Sequence, residues 1–190
     1  ADNNTAVGVS ALEDNTTGYS NTAVGKFAAQ CNTTGAENAV FGSAALQKNT
    51  TGDENTAIGN QALRCNTTGY SNQAVGLCSL RANTTGHDNN AIGHSAMLAN
   101  TTGQRNVAVG NSSLAANTTG SHNTAVGGQS LKANTEGIDN AALGKIALCS
   151  VTTGDSNTGT GRFAGGNVTT GDNNTLLGNA AGTDGVRNVT

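Results

Sequence analysis

The sequence NTAVGVSALEDNTTGYS, residues 4–20, is followed at once by NTAVGKFAAQCNTTGAE, residues 21–37, and the two stretches share one pattern. The pattern recurs every seventeen residues, with Asn at its first position and Gly at its fifth in every copy. The units begin at Asn4, Asn21, Asn38, Asn55, Asn72, Asn89, Asn106, Asn123, Asn140, Asn157 and Asn174. We number positions from this Asn and call each set of equivalent residues a column. Because a fixed short period is typical of a repeat fold, residues 1–190 are interpreted as a single repeat array, a segment of a longer fibre.

The composition of the unit predicts strands and turns. Gly interrupts each apolar run, and Asn and Thr are poor helix formers. The segment TAVG, residues 5–8, is strand-like and is bounded by the turn residues Asn and Gly. The sequence therefore predicts an all-β fold, a parallel β-solenoid of eleven 17-residue coils. Equivalent residues would stack about 4.8 Å apart.

Two apolar columns are predicted to fill the lumen of the coil: column four, which begins at Val7, and column nine, which begins at Leu12. Column three, mostly Ala, neighbours column four, and adjacent strand residues face opposite ways, so one of the two lies outside. Column eight has the same relation to column nine. Because a continuous apolar stripe along a rod is normally buried, we predict a parallel homo-oligomer.

Asn occupies two columns, and stacked Asn side chains can pair their amides between coils. Column one should form one such ladder, beginning at Asn4, and column twelve a second, from Asn15 to Asn134. Column twelve then changes to Val151 and Val168, so the last coils are expected to differ in shape.

The phrases NTAVGVSAL (4–12), NTAIGNQAL (55–63), NNAIGHSAM (89–97) and NVAVGNSSL (106–114) carry a family resemblance. They resemble the head repeats of YadA-type trimeric autotransporter adhesins, and related repeats of phage and viral tail fibres. The resemblance covers essentially the whole chain and implies a left-handed β-roll, a parallel homotrimer and a role in surface adhesion. The family unit is usually shorter, and the additional residues here form the NTTG segment.

The chemistry of the chain argues against several classes of protein. The net charge of −3 argues against nonspecific nucleic-acid binding, and no apolar run predicts membrane insertion of this segment. His87, His94 and His122 fall in three different columns, and no catalytic or phosphate-binding motif is present. We therefore predict no enzymatic activity, no metal and no cofactor.

Cysteines and sequons have structural interpretations. Cys31 and Cys65 share a column but lie two coils apart, too far for a disulfide. With Cys78 and Cys149 they are interpreted as free thiols, the alternative being cross-links between chains. NTTG creates candidate N-glycosylation sites at Asn15, Asn32, Asn49, Asn66, Asn83, Asn100 and Asn117. A ladder explains these Asn residues without a glycan, and a glycan on every coil would crowd its neighbours.

Charged and aromatic residues occupy the columns that vary between coils. The charged residues of columns sixteen and seventeen are mostly acidic, whereas those of columns six, ten and eleven are mostly basic, and this segregation could set the register between chains. The candidate partner contacts are Tyr19 and Tyr70 in column sixteen, and Phe27 and Phe163 in column seven.

We predict a structural and adhesive segment of a fibrous surface or virion protein, acting outside the cell as a rigid spacer and attachment surface. Its partners would be further copies of itself and a host or surface glycan or matrix protein. The alternatives are a subunit of a self-assembling extracellular filament and an ice- or glycan-binding solenoid. Ice binding would use the Thr of column thirteen, but adjacent Thr residues on a strand face opposite sides.

Overall fold

The computed structural model describes residues 2–182, which form an all-β parallel solenoid. Eleven strands make one parallel sheet in which each strand pairs with the strand of the next coil. The strands are β1 (Thr5–Val7), β2 (Thr22–Val24), β3 (Ala39–Phe41), β4 (Thr56–Ile58), β5 (Gln73–Val75), β6 (Asn90–Ile92), β7 (Val107–Val109), β8 (Thr124–Val126), β9 (Ala141–Leu143), β10 (Thr158–Thr160) and β11 (Thr175–Leu177). The predicted solenoid and its 17-residue coil are confirmed, since paired residues such as Thr5 and Thr22 are equivalent. Residues 2–182 contain no helix with the length and hydropathy of a membrane span.

Each coil closes through residues in the left-handed backbone region. In the second coil these are Phe27 (φ 61°), Ala29 (φ 46°) and Glu37 (φ 59°), from columns seven, nine and seventeen. Column five needs glycine for a second reason besides its positive φ. A Cβ on Gly93 would lie 2.6 Å from the carbonyl oxygen of Gly110 in the next coil. The fixed Gly of the repeat therefore allows the backbones of successive coils to touch.

The lumen is lined by columns three, eight and nine, so the prediction that column four fills it is wrong. In every strand from β2 to β11 the central residue is buried and its two neighbours are not. Ala91 of column three is fully buried, whereas Ile92 of column four is 41% exposed. Column nine does line the lumen as predicted, and Leu80 is fully buried.

The width of the coil explains why the smaller column lies inside. Column nine of one coil faces column three of the next coil, eleven residues later in sequence. A Cβ on Gly159 in column three would lie 2.7 Å from Cγ of Leu148 in column nine. With Leu on one side of this contact, only Ala or Gly fits on the other.

Departures from the common Leu and Ala combination compensate one another. Where column nine has Ala29, column three of the next coil has the larger Val40, and both are buried. Where column nine has Gly165, the next coil supplies Leu176, whose Cδ1 would lie 3.0 Å from a Cβ on that glycine. The lumen thus keeps its volume although individual coils differ.

The pair of Ala29 and Val40 provides a double-mutant cycle. Ala29→Leu overfills the lumen and should cost about 1–3 kcal/mol of unfolding free energy. Val40→Ala leaves a cavity and should cost about 2 kcal/mol. The double variant recreates the combination of the other coils, so urea denaturation should show a coupling of about 1 kcal/mol or more in its favour. If the free-energy changes of the two single variants simply add up in the double variant, the side chains at positions 29 and 40 do not pack against each other.

The predicted ladder of column one is present. The side-chain Nδ2 of Asn72 donates to Oδ1 of Asn55 at 3.2 Å and to the carbonyl oxygen of Gly86 at 2.8 Å. The backbone N–H of Asn72 donates to the same Oδ1 at 3.1 Å. Equivalent Asn side chains from Asn21 to Asn157 are buried, so the ladder supplies polar contacts inside the rod.

The second ladder, in column twelve, is also confirmed. Nδ2 of Asn83 donates to Oδ1 of Asn66 at 2.8 Å and to the carbonyl oxygen of Gly86 at 2.9 Å. That carbonyl therefore joins both ladders within the coil. The ladder ends where predicted, because Val151 has no donor and Oδ1 of Asn134 is left buried without a hydrogen bond.

Candidate functional site

Tyr19 and Tyr70 lie on an exposed edge of the rod formed by column sixteen. They are 51% and 46% exposed, and three coils separate them. The ring of Tyr70 stacks on that of His87 in the next coil, with ring centroids 4.6 Å apart and an interplanar angle of 5°. Because stacking along the rod turns the rings edge-on to solvent, Tyr70 presents its ring edge and hydroxyl to a partner.

Polar groups continue this edge beyond the aromatic stack. Nδ1 of His87 lies 2.9 Å from Oδ2 of Asp88, and Nε of Arg105 lies 3.9 Å from the same oxygen. The four residues Tyr70, His87, Asp88 and Arg105 come from three consecutive coils. They form a continuous chain of aromatic and charged side-chain contacts, and we call it the Tyr70 cluster.

Phe27 and Phe163 do not join the tyrosines. Both are half-buried in column seven, and Nζ of Lys26 lies 4.7 Å above the ring of Phe27. The ring of Phe163 packs over Gly166, where a Cβ would lie 2.2 Å from Cε2 of the phenylalanine. The four candidate contact residues are therefore on two separate surfaces, and only the tyrosines belong to the acidic edge.

Several acidic residues of that edge have a structural role that was not predicted. Oδ1 of Asp53 accepts a hydrogen bond from the backbone N–H of Ala36 in the preceding coil, at 2.8 Å. Oδ1 of Asp155 accepts a hydrogen bond from the backbone N–H of Ile138, and Oδ1 of Asp172 accepts one from the backbone N–H of Asp155, each at 2.8 Å. These hydrogen bonds could have been predicted from the sequence, because each acceptor follows its donor by seventeen residues, one coil of the repeat.

The outward side of the sheet is a second exposed surface, missed by the sequence analysis because column four was assigned to the lumen. We call columns two and four of β1–β11 the outer sheet face. Its exposed large apolar residues are Val7, Phe41, Ile58, Ile92, Leu143 and Leu177, between 40% and 67% exposed. Neither column contains a charged residue, although 21 of the 190 residues are Asp, Glu, Lys or Arg.

The candidate N-glycosylation sites stay predictions, but the folded coil hides their nitrogens. Asn32, Asn49, Asn66, Asn83, Asn100 and Asn117 are buried, and Asn15 is half-buried. Each Nδ2 of the buried set is engaged in the ladder, as for Asn49, which donates to Asn32 and Gly52. A glycan on any of these nitrogens would replace ladder hydrogen bonds, so attachment would have to precede folding.

The two Thr columns of the NTTG segment differ in their hydrogen bonding. Column thirteen donates its hydroxyls to the next coil, as in Thr84 Oγ1 to the carbonyl oxygen of Thr101 at 3.0 Å. Column fourteen is exposed, for example at Thr85 and Thr102. Only one rank of fully exposed Thr hydroxyls therefore runs along this side, and ice binding stays an untested alternative.

The four cysteines are free and half-buried, and they are dispersed along the rod. Burial raises the pKa of the Cys31 thiol, and the neighbouring Asp14 raises it further. The thiol therefore stays protonated and weakly nucleophilic at neutral pH. Residues 2–182 hold neither an enclosed pocket nor a group of three or more His, Cys, Asp or Glu placed for a metal ion.

No family model, curated protein or solved structure matches the chain. Any functional assignment therefore depends on the repeat, the two exposed surfaces and the resemblance of the sequence motifs.

Proposed function

We propose that this chain is a structural and adhesive segment of a fibrous surface or virion protein, acting outside the cell as a rigid spacer and attachment surface. The observation that carries the proposal is the uninterrupted ladder of column one, in which successive coils are hydrogen-bonded from Asn4 to Asn174. Eleven stacked strands give a length of about 50 Å. Such a rod holds whatever it carries at a fixed distance from its base.

The proposed assembly is a parallel homotrimer of left-handed rolls, as the resemblance to YadA-type head repeats and tail-fibre repeats implies. The exposed apolar residues of the outer sheet face support self-association, since a long apolar stripe on a thin rod is normally covered. A single coil has a narrow lumen with mostly Ala and Leu, so association would add apolar burial that the monomer lacks.

The proposed attachment surface is the edge that carries Tyr19 and the Tyr70 cluster. Ladder and lumen positions are constrained by stacking, whereas column sixteen differs from coil to coil and can be selective. Tyrosine offers contact area with little loss of side-chain entropy, and Asp88 and Arg105 beside it supply hydrogen-bonding charges. A host or surface glycan or a matrix protein is the expected partner class.

The adhesion proposal is tested by removing the tyrosines. A receptor is first sought on glycan and matrix-protein arrays, and its dissociation constant is then measured for the Tyr19→Ser, Tyr70→Ser variant. Losing two exposed aromatic contacts should weaken binding about tenfold or more, with an unchanged melting temperature. The matched control is Phe27→Ser, which removes an aromatic residue from another side of the rod and should leave affinity intact. Equal affinity of the double variant and the parent would move the attachment surface elsewhere, and absence of any receptor would leave the spacer role alone.

A further inference from the structure

The outer sheet face is bordered by charges of opposite sign. On one side, column seventeen contributes Glu37, Glu54 and Asp139, with a net charge of −3, while Asp88 and Arg105 of the same column pair with each other in the Tyr70 cluster. On the other side, column six contributes Lys26, Lys145 and Arg162, with a net charge of +3. We call these the acidic rim and the basic rim. The strip between the two rims is uncharged, with mostly apolar side chains in column four and mostly Thr in column two. An uncharged centre between complementary charged borders resembles an interface core with a polar rim.

We propose that the outer sheet face is the surface through which copies of this chain associate, with parallel axes and equivalent coils level with one another. This inference rests on the self-association in the proposed function and identifies its residues and orientation. The occupant is a second copy of the chain. Both partners then present side chains at the same spacing of about 4.8 Å, so contacts made in one coil repeat along the rod.

The rims decide between parallel and antiparallel packing. In a parallel pair or ring, the acidic rim of one copy meets the basic rim of the next. Glu37 and Lys26 belong to the second coil, and Asp139 immediately precedes the ninth coil, which carries Lys145. Both pairs are therefore level to within about one coil spacing of 4.8 Å.

Antiparallel packing with full overlap would have the opposite effect. A two-fold axis perpendicular to the rod places like rims together. It brings the second coil level with the tenth, so that Lys26 faces Arg162. It also brings the third coil level with the ninth, so that Glu37, which precedes the third coil, faces Asp139, which precedes the ninth. Like charges at an interface oppose association and select against the wrong partner arrangement.

The available area is sufficient for a specific interface. A strip about 50 Å long and about 10 Å wide gives about 500 Å² on each copy. Two such faces bury about 1,000 Å² in total, the size at which specific association begins. The 40% exposure of Ile58 and the 41% exposure of Ile92 show that these side chains have apolar area left to bury.

The face is tested by introducing charge at its centre and measuring mass by light scattering. The parent should have the mass of two or more chains of 18.7 kDa each. The Ile58→Lys, Ile92→Lys variant should fall to one chain while keeping its β-sheet circular dichroism. The control is Thr68→Lys, Thr102→Lys, which adds the same charge to exposed positions of the same two coils and should remain associated. If the lysines unfold the coil, Ile58→Thr with Ile92→Thr, which keeps the β-branched side chain suited to a strand but removes apolar area, should still raise the dissociation constant about tenfold.

The outcomes separate the face from the wider proposal. If the Ile58→Lys, Ile92→Lys variant is as associated as the parent, the outer sheet face is not the contact surface, although the chain still self-associates. A parent of 18.7 kDa would overturn both, while receptor binding by the Tyr70 cluster would be unaffected.

Orientation is tested by reversing the rims. In the parallel arrangement, Lys26→Glu with Lys145→Glu should weaken association about tenfold, and adding Glu37→Lys with Asp139→Lys should restore it. In the antiparallel arrangement, Lys26→Glu would face Arg162 and strengthen association. Strengthening by the first pair of changes would therefore overturn the parallel assignment.

Discussion

Asn83→Asp should destabilise the rod by at least about 3 kcal/mol, because it places a carboxylate where a ladder requires a donor. Asn83 is fully buried and its Nδ2 donates to Oδ1 of Asn66 at 2.8 Å and to the carbonyl oxygen of Gly86 at 2.9 Å. The substitution removes both hydrogen bonds and sets a negative oxygen against two acceptors. Only the bond that Asn83 Oδ1 accepts from Asn100 can be retained.

The control for this prediction is Asn60→Asp, the same chemical change at an exposed position of column six. Urea denaturation should place it within about 0.5 kcal/mol of the parent. The destabilisation by Asn83→Asp should also lessen at acidic pH, since a protonated carboxyl is neutral and can donate once. If both variants unfold at the same urea concentration, the column-twelve ladder contributes little to stability.

The period alone was enough to predict the fold. Asn at the first position and Gly at the fifth, repeated every seventeen residues, left a stacked coil as the architecture with a use for both. The ladders could also be predicted, including the end of the second one, because Val151 and Val168 cannot donate a side-chain hydrogen bond. These features depend only on residue type and column, and stacking puts like residues together.

The lumen assignment failed because the repeat fixes the alternation of columns three and four without fixing which of them is inside. Large side chains in column four were taken as the core. The space available inside is set by column nine, and Leu148 shows that its neighbour in column three must be small. Size complementarity across the lumen, visible in Ala29 with Val40, could have given the right choice from sequence.

The candidate site was predicted only in part. The exposure of Tyr19 and Tyr70 followed from their variable column, but Phe27 and Phe163 lie elsewhere. The proximity of Tyr70 and His87 could also have been predicted from the sequence, since two residues seventeen apart in column sixteen must be neighbours. Ring orientation and the contact with Asp88 depend on side-chain torsions, which the repeat does not determine.

Leu80→Asp is expected to have the largest effect, at least about 5 kcal/mol, because it loses a buried leucine and gains a buried charge. Leu80 is fully buried in column nine of the fifth coil, between Leu63 and Met97 of the adjacent coils. All three line the same lumen, so a carboxylate here has apolar side chains above and below it. Circular dichroism during urea or thermal unfolding should show a rod that no longer folds as one unit.

The matched control is Leu77→Asp, the same change three residues earlier in the same coil. Leu77 is 45% exposed in column six, so its loss should cost little more than an ordinary surface substitution, within about 1 kcal/mol. Arg81→Asp, at the exposed position directly after Leu80, should be equally mild. This contrast tests the inward direction of column nine at single-residue resolution. If Leu80→Asp and Leu77→Asp melt at the same temperature, the lumen does not lie where columns three, eight and nine place it, and the outer sheet face would have to be reassigned with it.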